Sequence, residues 1–307
     1  METMYLTHPA CRLHEMGSWH PESPQRLDAI SDQLLASGLM PYLDDRQAPQ
    51  ASRHDVLRVH TVQYLDSLRE HTPEQGYYPI DPDTLMNPHT YEAALYAAGA
   101  GVAAVDAVIG GEARTAFCAV RPPGHHACRS QAMGFCFLNN VAIAARHAMD
   151  FHGLSRVAIV DFDVHHGNGT EDVFAGDERV LMCSIFQHPF FPNSGTEHPA
   201  ANMVNVPVAA YTAGAAVRGI VTDTWLPRLE AHRPELILIS AGFDAHREDD
   251  MGQMGLVEAD YAWITEQLVD VAERHCQGRI VSTLEGGYNL SALGRSVVAH
   301  IRALAKL

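Results

Sequence analysis

Positive charge is what this sequence has least of: 21 Lys and Arg stand against 37 Asp and Glu in 307 residues, a formal net charge of -16. Affinity for a polyanion comes from clustered Lys and Arg, so direct binding to nucleic acid is excluded as a main function. An acidic field favours cationic substrates, although the same balance also serves solubility. Cysteine is scarce too. Six residues, irregularly spaced and without a C-x-x-C pair, make no disulfide framework. Cys118 and Cys183 lie in apolar runs as small core hydrophobes, and reduced thiols fit the cytoplasm. The N-terminal METMYLTHPACRLHEMG has no charged region followed by an apolar core, so no secretory signal is read. The least polar stretch, Tyr91 to Gly111, is broken by Glu92 and Asp106 and rich in Ala and Gly, which predicts a close-packed core helix and no membrane span. Neither a phosphate-binding glycine loop nor a nucleophile elbow is present, which counts against nucleotide use and serine hydrolysis.

What is present is a full apolar core, at 47% hydrophobic residues, with no composition shift to mark a boundary. One domain over residues 1–307 is expected. A short strand at Met4 to Leu6 leads into a loop rich in His, Gly and Pro. Ser23 is the expected N-cap, with Pro24 first in a helix whose stripe is Leu27, Ile30, Leu34 and Leu35 and whose stop is Gly38. Thr61 to Arg69 reads as a short helix and Gly76 to His89 as a loop. Strand-like runs then recur at Thr115–Val120, Val157–Asp161, Val180–Ile185, Leu236–Ser240 and Ile280–Leu284. Helical patterns separate them at Leu138–Phe151, Ala213–His232, Leu256–Cys276 and Ala292–Ala305, with Pro227 bending or ending part of the second. This alternation predicts an α/β fold with a mainly parallel sheet and helices on both faces, whose ligand sites lie at the carboxyl ends of the strands. The five runs are followed by RPPGHH, DFDVHHGNG, FQHPFFP, AGFDAH and EGGYN, so titratable or aromatic groups project over one rim.

The stretch VAIVDFDVHHGNGT, residues 157 to 170, carries the chemistry. Asp161, Asp163 and His165 recur at a spacing of two and face one side while the chain stays extended. Buried carboxylates are costly unless paired, hydrogen-bonded or metal-bound, so a cation is needed here. Asp and His without thiolate suit Zn²⁺ or another borderline divalent ion, against the blander reading of a salt-bridged strand end.

Taken together, these motifs resemble the zinc-dependent histone deacetylase and acetylpolyamine amidohydrolase family, of the arginase-deacetylase fold, nearly end to end from HPESPQR to LEGGYN. The resemblance puts the zinc ligands at Asp163, His165 and Asp244, the tandem histidines at His125 and His126, and the carbonyl-polarising tyrosine at Tyr288. Three protein ligands leave a coordination position open for water, as a hydrolytic metal requires. His126 would take the proton of the attacking water, a histidine of the pair would protonate the leaving amine, and Tyr288 would donate to the oxyanion. Asp161 matches the aspartate that orients His125 and helps hold potassium. Ser184, with carbonyls near Asp161, Asp163, His165 and Ile185, would complete that shell, and a second, peripheral potassium site would use Phe174 and Val180. Asn168 stands where class I enzymes carry aspartate, as in class II, and raises the basicity of His126 less than a carboxylate would.

The same resemblance implies a narrow acyl-lysine channel lined by Phe135 and Phe191, next to Gly134, with Arg26 near its inner end and Met251 at a rim position usually held by Leu. The acidic run Glu248 to Asp250 is read as a solvated loop, with a rim role as the alternative. His8, His14 and His20 would at most shape the mouth. His166 and His188 are read as supporting groups, and Gly195 and Gly214 as turn or helix-start residues. The expected function is a class II-like zinc amidohydrolase removing acyl groups from lysine in a protein or peptide. The alternatives are an acetylated polyamine substrate, a dinuclear manganese ureohydrolase, and an acyl-lysine binder without turnover. Self-association into a homo-oligomer stays open.

Overall fold

The five apolar runs become the interior of a single sheet in the computed structural model, which describes residues 3–307. In chain order the strands are β1 Thr3–Thr7, β2 Leu43–Gln47, β3 Tyr78–Pro79, β4 Leu85–Met86, β5 Thr115–Cys118, β6 Val157–Asp161, β7 Val180–Gln187, β8 Met203–Val208, β9 Leu236–Ala241 and β10 Ile280–Leu284. The helices are α1 Gln25–Ala36, α2 Arg53–Val56, α3 Val62–Glu70, α4 Thr90–Gly110, α5 Asn140–Asp150, α6 Asn168–Phe174, α7 Gly214–Ile220, α8 Leu226–His232, α9 Glu258–His275 and α10 Leu290–Ala305. The main sheet has eight strands in the order β2-β1-β5-β10-β9-β6-β7-β8, and each pairing within it is parallel. β3 and β4 form a separate antiparallel ribbon. Strands β5, β6, β7, β9 and β10 are buried along their whole length, as expected of continuous apolar runs covered on both faces. The two strands of the main sheet that were not anticipated, β2 and β8, are its edges, and the short β3–β4 ribbon lies within Gly76–His89, which was expected to be loop throughout.

Local chemistry explains the element ends. Helix α1 starts at Gln25, one residue later than expected, with Pro24 as its flanking residue, and Gly38 ends it at φ +69°. Thr61 caps α3 through its side chain. The helix expected over Ala213–His232 is α7 and α8 joined by the π-helical turn Val221–Trp225, and Pro227 follows directly on that turn as the second residue of α8. Helix α4 has 21 residues and contains an 18-residue stretch with a mean hydropathy of 1.6, long and apolar enough to cross a bilayer by length and composition. It is nonetheless a core helix: a Cβ on Gly99 would lie 2.0 Å from the Pro49 carbonyl, and Gly101 meets Ala144 of α5. All six cysteines are free, Cys118 and Cys183 fully buried.

Because the strands are parallel, the loops after β5, β6, β7, β9 and β10 leave from the same edge. They build the site.

Candidate active site

Strand β6 delivers the first acidic group. Its register sets Asp161 beside Ser184 of β7 and Ser240 of β9. Beyond the strand the alternation persists: Phe162 packs in the core against Phe243, Tyr261 and His300, while Asp163 and His165 meet Asp244 from the loop after β9. Backbone groups hold these carboxylates. Asp161 Oδ1 accepts from the Asp163 N–H at 3.1 Å, Asp163 Oδ1 from His165 N–H at 2.9 Å, Asp163 Oδ2 from Gly286 N–H at 2.9 Å, and Asp244 Oδ1 from Val164 N–H at 2.9 Å. A Cβ at Gly242 or Gly286 would lie 2.0 Å from Asp163 Oδ2 or 2.1 Å from Asp244 Oδ2, so only glycine lets these loops close.

The donor set fits a divalent cation. One donor atom each from Asp163, His165 and Asp244 lie within 4.8 Å of one another, all three residues buried. His165 Nδ1 is 3.0 Å from Asp163 Oδ1 and 3.2 Å from Asp244 Oδ2, and Asp244 Oδ2 receives no hydrogen bond. Burial and the Asp163 charge push the Asp244 carboxyl up to about 7. Burial opposes charge on His165 as well, yet Asp163 and Asp244 outweigh it and raise the imidazole to about 10. Two carboxylates and an imidazole therefore converge on a point that calls for positive charge, with no thiolate among them.

The tandem histidines differ in their partners. His125 Nδ1 lies 2.9 Å from Asp161 Oδ2. Burial disfavours its charge, but Asp161, Asp163 and Glu285 prevail and hold its pKa well above the ordinary value. For His126, burial and the neighbouring His125 and His165 push the pKa well down. Its Nδ1 lies 2.7 Å from Asn168 Oδ1, while Asn168 Nδ2 faces acceptors at His126 O, Cys128 Sγ and Met133 Sδ. A carbonyl oxygen can only accept, so His126 carries its proton on Nδ1 and keeps the Nε2 lone pair free. Gly134, at φ +55°, closes against this ring; a Cβ there would lie 2.5 Å from His126 Cδ2.

Above these groups is a cavity of about 230 Å³ lined by His126, Gly134, Phe135, His165, Phe191, Met251 and Tyr288 among others. Phe191 meets His126 edge-on at 5.2 Å, and Phe135 meets Tyr288 the same way at 6.0 Å. Burial and the Asp244 charge keep the Tyr288 phenol protonated, a hydrogen-bond donor. Arg26 is fully buried with its guanidinium 4.9 Å over the Tyr288 ring, and it donates to the Gly287 and Glu285 carbonyls.

Several supporting residues were not anticipated. Phe190 stacks on the His165 ring at 5.4 Å. Glu285 Oε2 accepts from the Gly124 and His125 N–H groups and Oε1 from Ser240 Oγ, tying the histidine loop to β9 and β10. Glu22 pairs with both Arg26 and Arg121 beneath the site, all fully buried. The acidic run is not simply solvated. Asp249 is buried; its Oδ2 accepts from the Tyr288 and Asn289 N–H groups at 2.6 and 2.8 Å, and its Oδ1 from Met251 N–H. Asp250 joins Asp83 in the cavity wall, and Glu248 pairs with Arg295. A buried carboxylate within an acidic run leaves no signature in composition.

Other expected residues take ordinary places. His8 stacks on Tyr96, and His14 is buried beside Thr90 and Glu22. His20 packs edge-on against Phe135, near the mouth. His166 bridges Ser194 and Glu171. Ser184 Oγ is buried without a hydrogen-bond partner next to Asp161, a fit for an oxygen ligand of a monovalent cation, and Ile185 follows it in β7. At the peripheral potassium site expected at Phe174 and Val180, both backbone carbonyls accept from the side chain of Asn202.

An open parallel α/β sheet with an Asp-His-Asp cluster, a histidine pair and a half-buried tyrosine at one rim defines a hydrolase site of the arginase-deacetylase type. Comparison with known proteins agrees. The histone deacetylase domain profile matches residues 20–304. The chain is similar to a histone deacetylase-like amidohydrolase of Pseudomonas aeruginosa, 39% identical over 88% of this chain and 73% of that protein. It is 36% identical to a probable deacetylase of Archaeoglobus fulgidus, over 99% and 87% of the two chains. The crystal structure of the HDA15 HD domain superposes with a TM-score of 0.93 at 33% identity, covering 99% of this chain and 90% of that one. The chain belongs to the histone deacetylase family, whose chemistry is that of deacetylases and amidohydrolases.

Proposed function

We propose that the chain is a zinc-dependent deacetylase that removes acetyl or related acyl groups from the side-chain amine of lysine. The observation that carries this reading is the convergence of the Asp163, His165 and Asp244 donors with the free Nε2 of His126 and the phenol of Tyr288 around one aromatic-walled cavity. Asp163, His165 and Asp244 would hold the zinc, which when bound would supply Lewis acidity to a water and to the amide carbonyl. His126 takes the proton of the attacking water on Nε2, its Nδ1–H fixed by Asn168. That proton is then available to the leaving amine, with His125 beside it as a second proton store, ring centroids 4.0 Å apart. Tyr288 donates to the oxygen that gains charge as the carbonyl carbon becomes tetrahedral. Phe135 and Phe191 bound the space for a methylene stem. Potassium at Asp161, Ser184 and the Ile185 backbone would steady the loop under His125, since Ser184 Oγ has no other partner.

A second reading, an acetylated polyamine, is favoured by Asp83 and Asp250 in the cavity wall, which would receive a distal ammonium. A second metal is disfavoured because Asp161 Oδ2 is engaged by His125. Rates of zinc-loaded protein on an acetyl-lysine peptide and an acetylpolyamine decide the order. Faster peptide cleavage is expected; strong polyamine preference reverses the substrate assignment, and binding of both without cleavage ends the enzymatic one.

A further inference from the structure

Near the junction of α6, β7 and β8, three backbone carbonyls surround one side-chain nitrogen. Asn202 Nδ2 lies 2.8 Å from the Phe174 oxygen, 3.1 Å from that of Asp177 and 2.9 Å from that of Val180. Its Oδ1 accepts from the Gly176 N–H at 2.9 Å, which fixes the orientation of the amide. Turned over, it would set an oxygen against three oxygens and an NH₂ against an N–H. An NH₂ group has two hydrogens and cannot serve three acceptors equally. The carbonyls are thus arranged around a centre of positive charge, and not matched to a donor count, as oxygen ligands are arranged around a hard cation. Fixed charge next to this cage works against an added ion: Arg228, in the same surface groove as Asn202, donates to the Ala201 carbonyl at 2.6 Å.

We propose that the Asn202 carboxamide replaces a second monovalent cation, so that this junction is braced by a neutral side chain and takes up no potassium. The inference concerns the α6–β7–β8 cage alone and does not depend on the deacetylase reading. A protein without turnover would leave the ion count unchanged, so the two can fail separately.

Thallous ion, a potassium substitute with strong anomalous scattering, tests it in crystals of the full chain. No anomalous peak is expected within bonding distance of the Phe174, Asp177 and Val180 carbonyls, and Asn202→Ala should gain one. A peak there in the unaltered protein, with Asn202 turned away, overturns the proposal, as does a variant cage that stays empty. Should Asn202→Ala fail to fold, Asn202→Asp gives a second measurement. A carboxylate facing three carbonyls needs a cation between them, so its melting temperature should rise with potassium chloride over choline chloride more than that of the unaltered protein. Equal responses of the two proteins overturn the idea.

Discussion

Replacing Asn168 by Asp tests the role of His126. The carboxylate would stand where Oδ1 now lies, 2.7 Å from His126 Nδ1. A charge that close to a buried imidazole stabilises the imidazolium and raises its pKa by about 1 to 3 units, each worth about 1.4 kcal/mol. The sign follows directly. A base of higher pKa is protonated over a wider acidic range, so the acid limb of kcat/KM for an acetyl-lysine peptide should move to higher pH by that amount, while the plateau changes little. Asn168→Asp also loses the Nδ2 contacts to His126 O, Cys128 Sγ and Met133 Sδ, all at 3.3–3.4 Å. These contacts are long, and their loss should cost about 1 kcal/mol, checked by thermal melting. A pH–rate profile in a folded variant with an unmoved acid limb would show that His126 is not the group that takes the proton.

Two further predictions concern turnover and stability. Tyr288→Phe should retain zinc and lose about 10²- to 10³-fold in kcat, as when one oxyanion donor is removed; full activity would end that role. Burial holds His300 near pKa 3 and His60 near 4, against about 6.5 when unfolded. Stability from these neutral imidazoles is complete above about pH 6.5 and lost as pH falls toward the folded values, by about 1.4 kcal/mol per pH unit and group. Melting temperature should drop across that window, and His300→Gln should flatten the slope; a flat curve in the unaltered protein would contradict it.

The interior of the sheet was legible because buried parallel strands must be continuous apolar runs: β6 and β10 begin and end where the sequence pattern does. The edge strands were not. β2, LDDRQ, exposes most of its length, and β8 carries Pro207, so neither has the pattern of a covered strand. Asp163 and His165 were legible from the alternation that continues past β6, whereas Asp244, on the same rim, joined them only through the family resemblance. Residues that act by holding backbone were not. Asp249 looks like part of a solvated acidic run, Glu285 gives no sign of its distant N–H partners, and nothing near Asn202 in the chain announces three carbonyls arriving from another segment.

Stepwise zinc addition to metal-stripped protein, followed by acetyl-lysine peptide cleavage and metal content, tests the central claim most directly. One equivalent should restore full turnover, and Asp163→Ala should neither retain the ion nor recover activity. Saturation at two equivalents, or unimpaired zinc binding and turnover in Asp163→Ala, would contradict a single hydrolytic ion held by Asp163, His165 and Asp244.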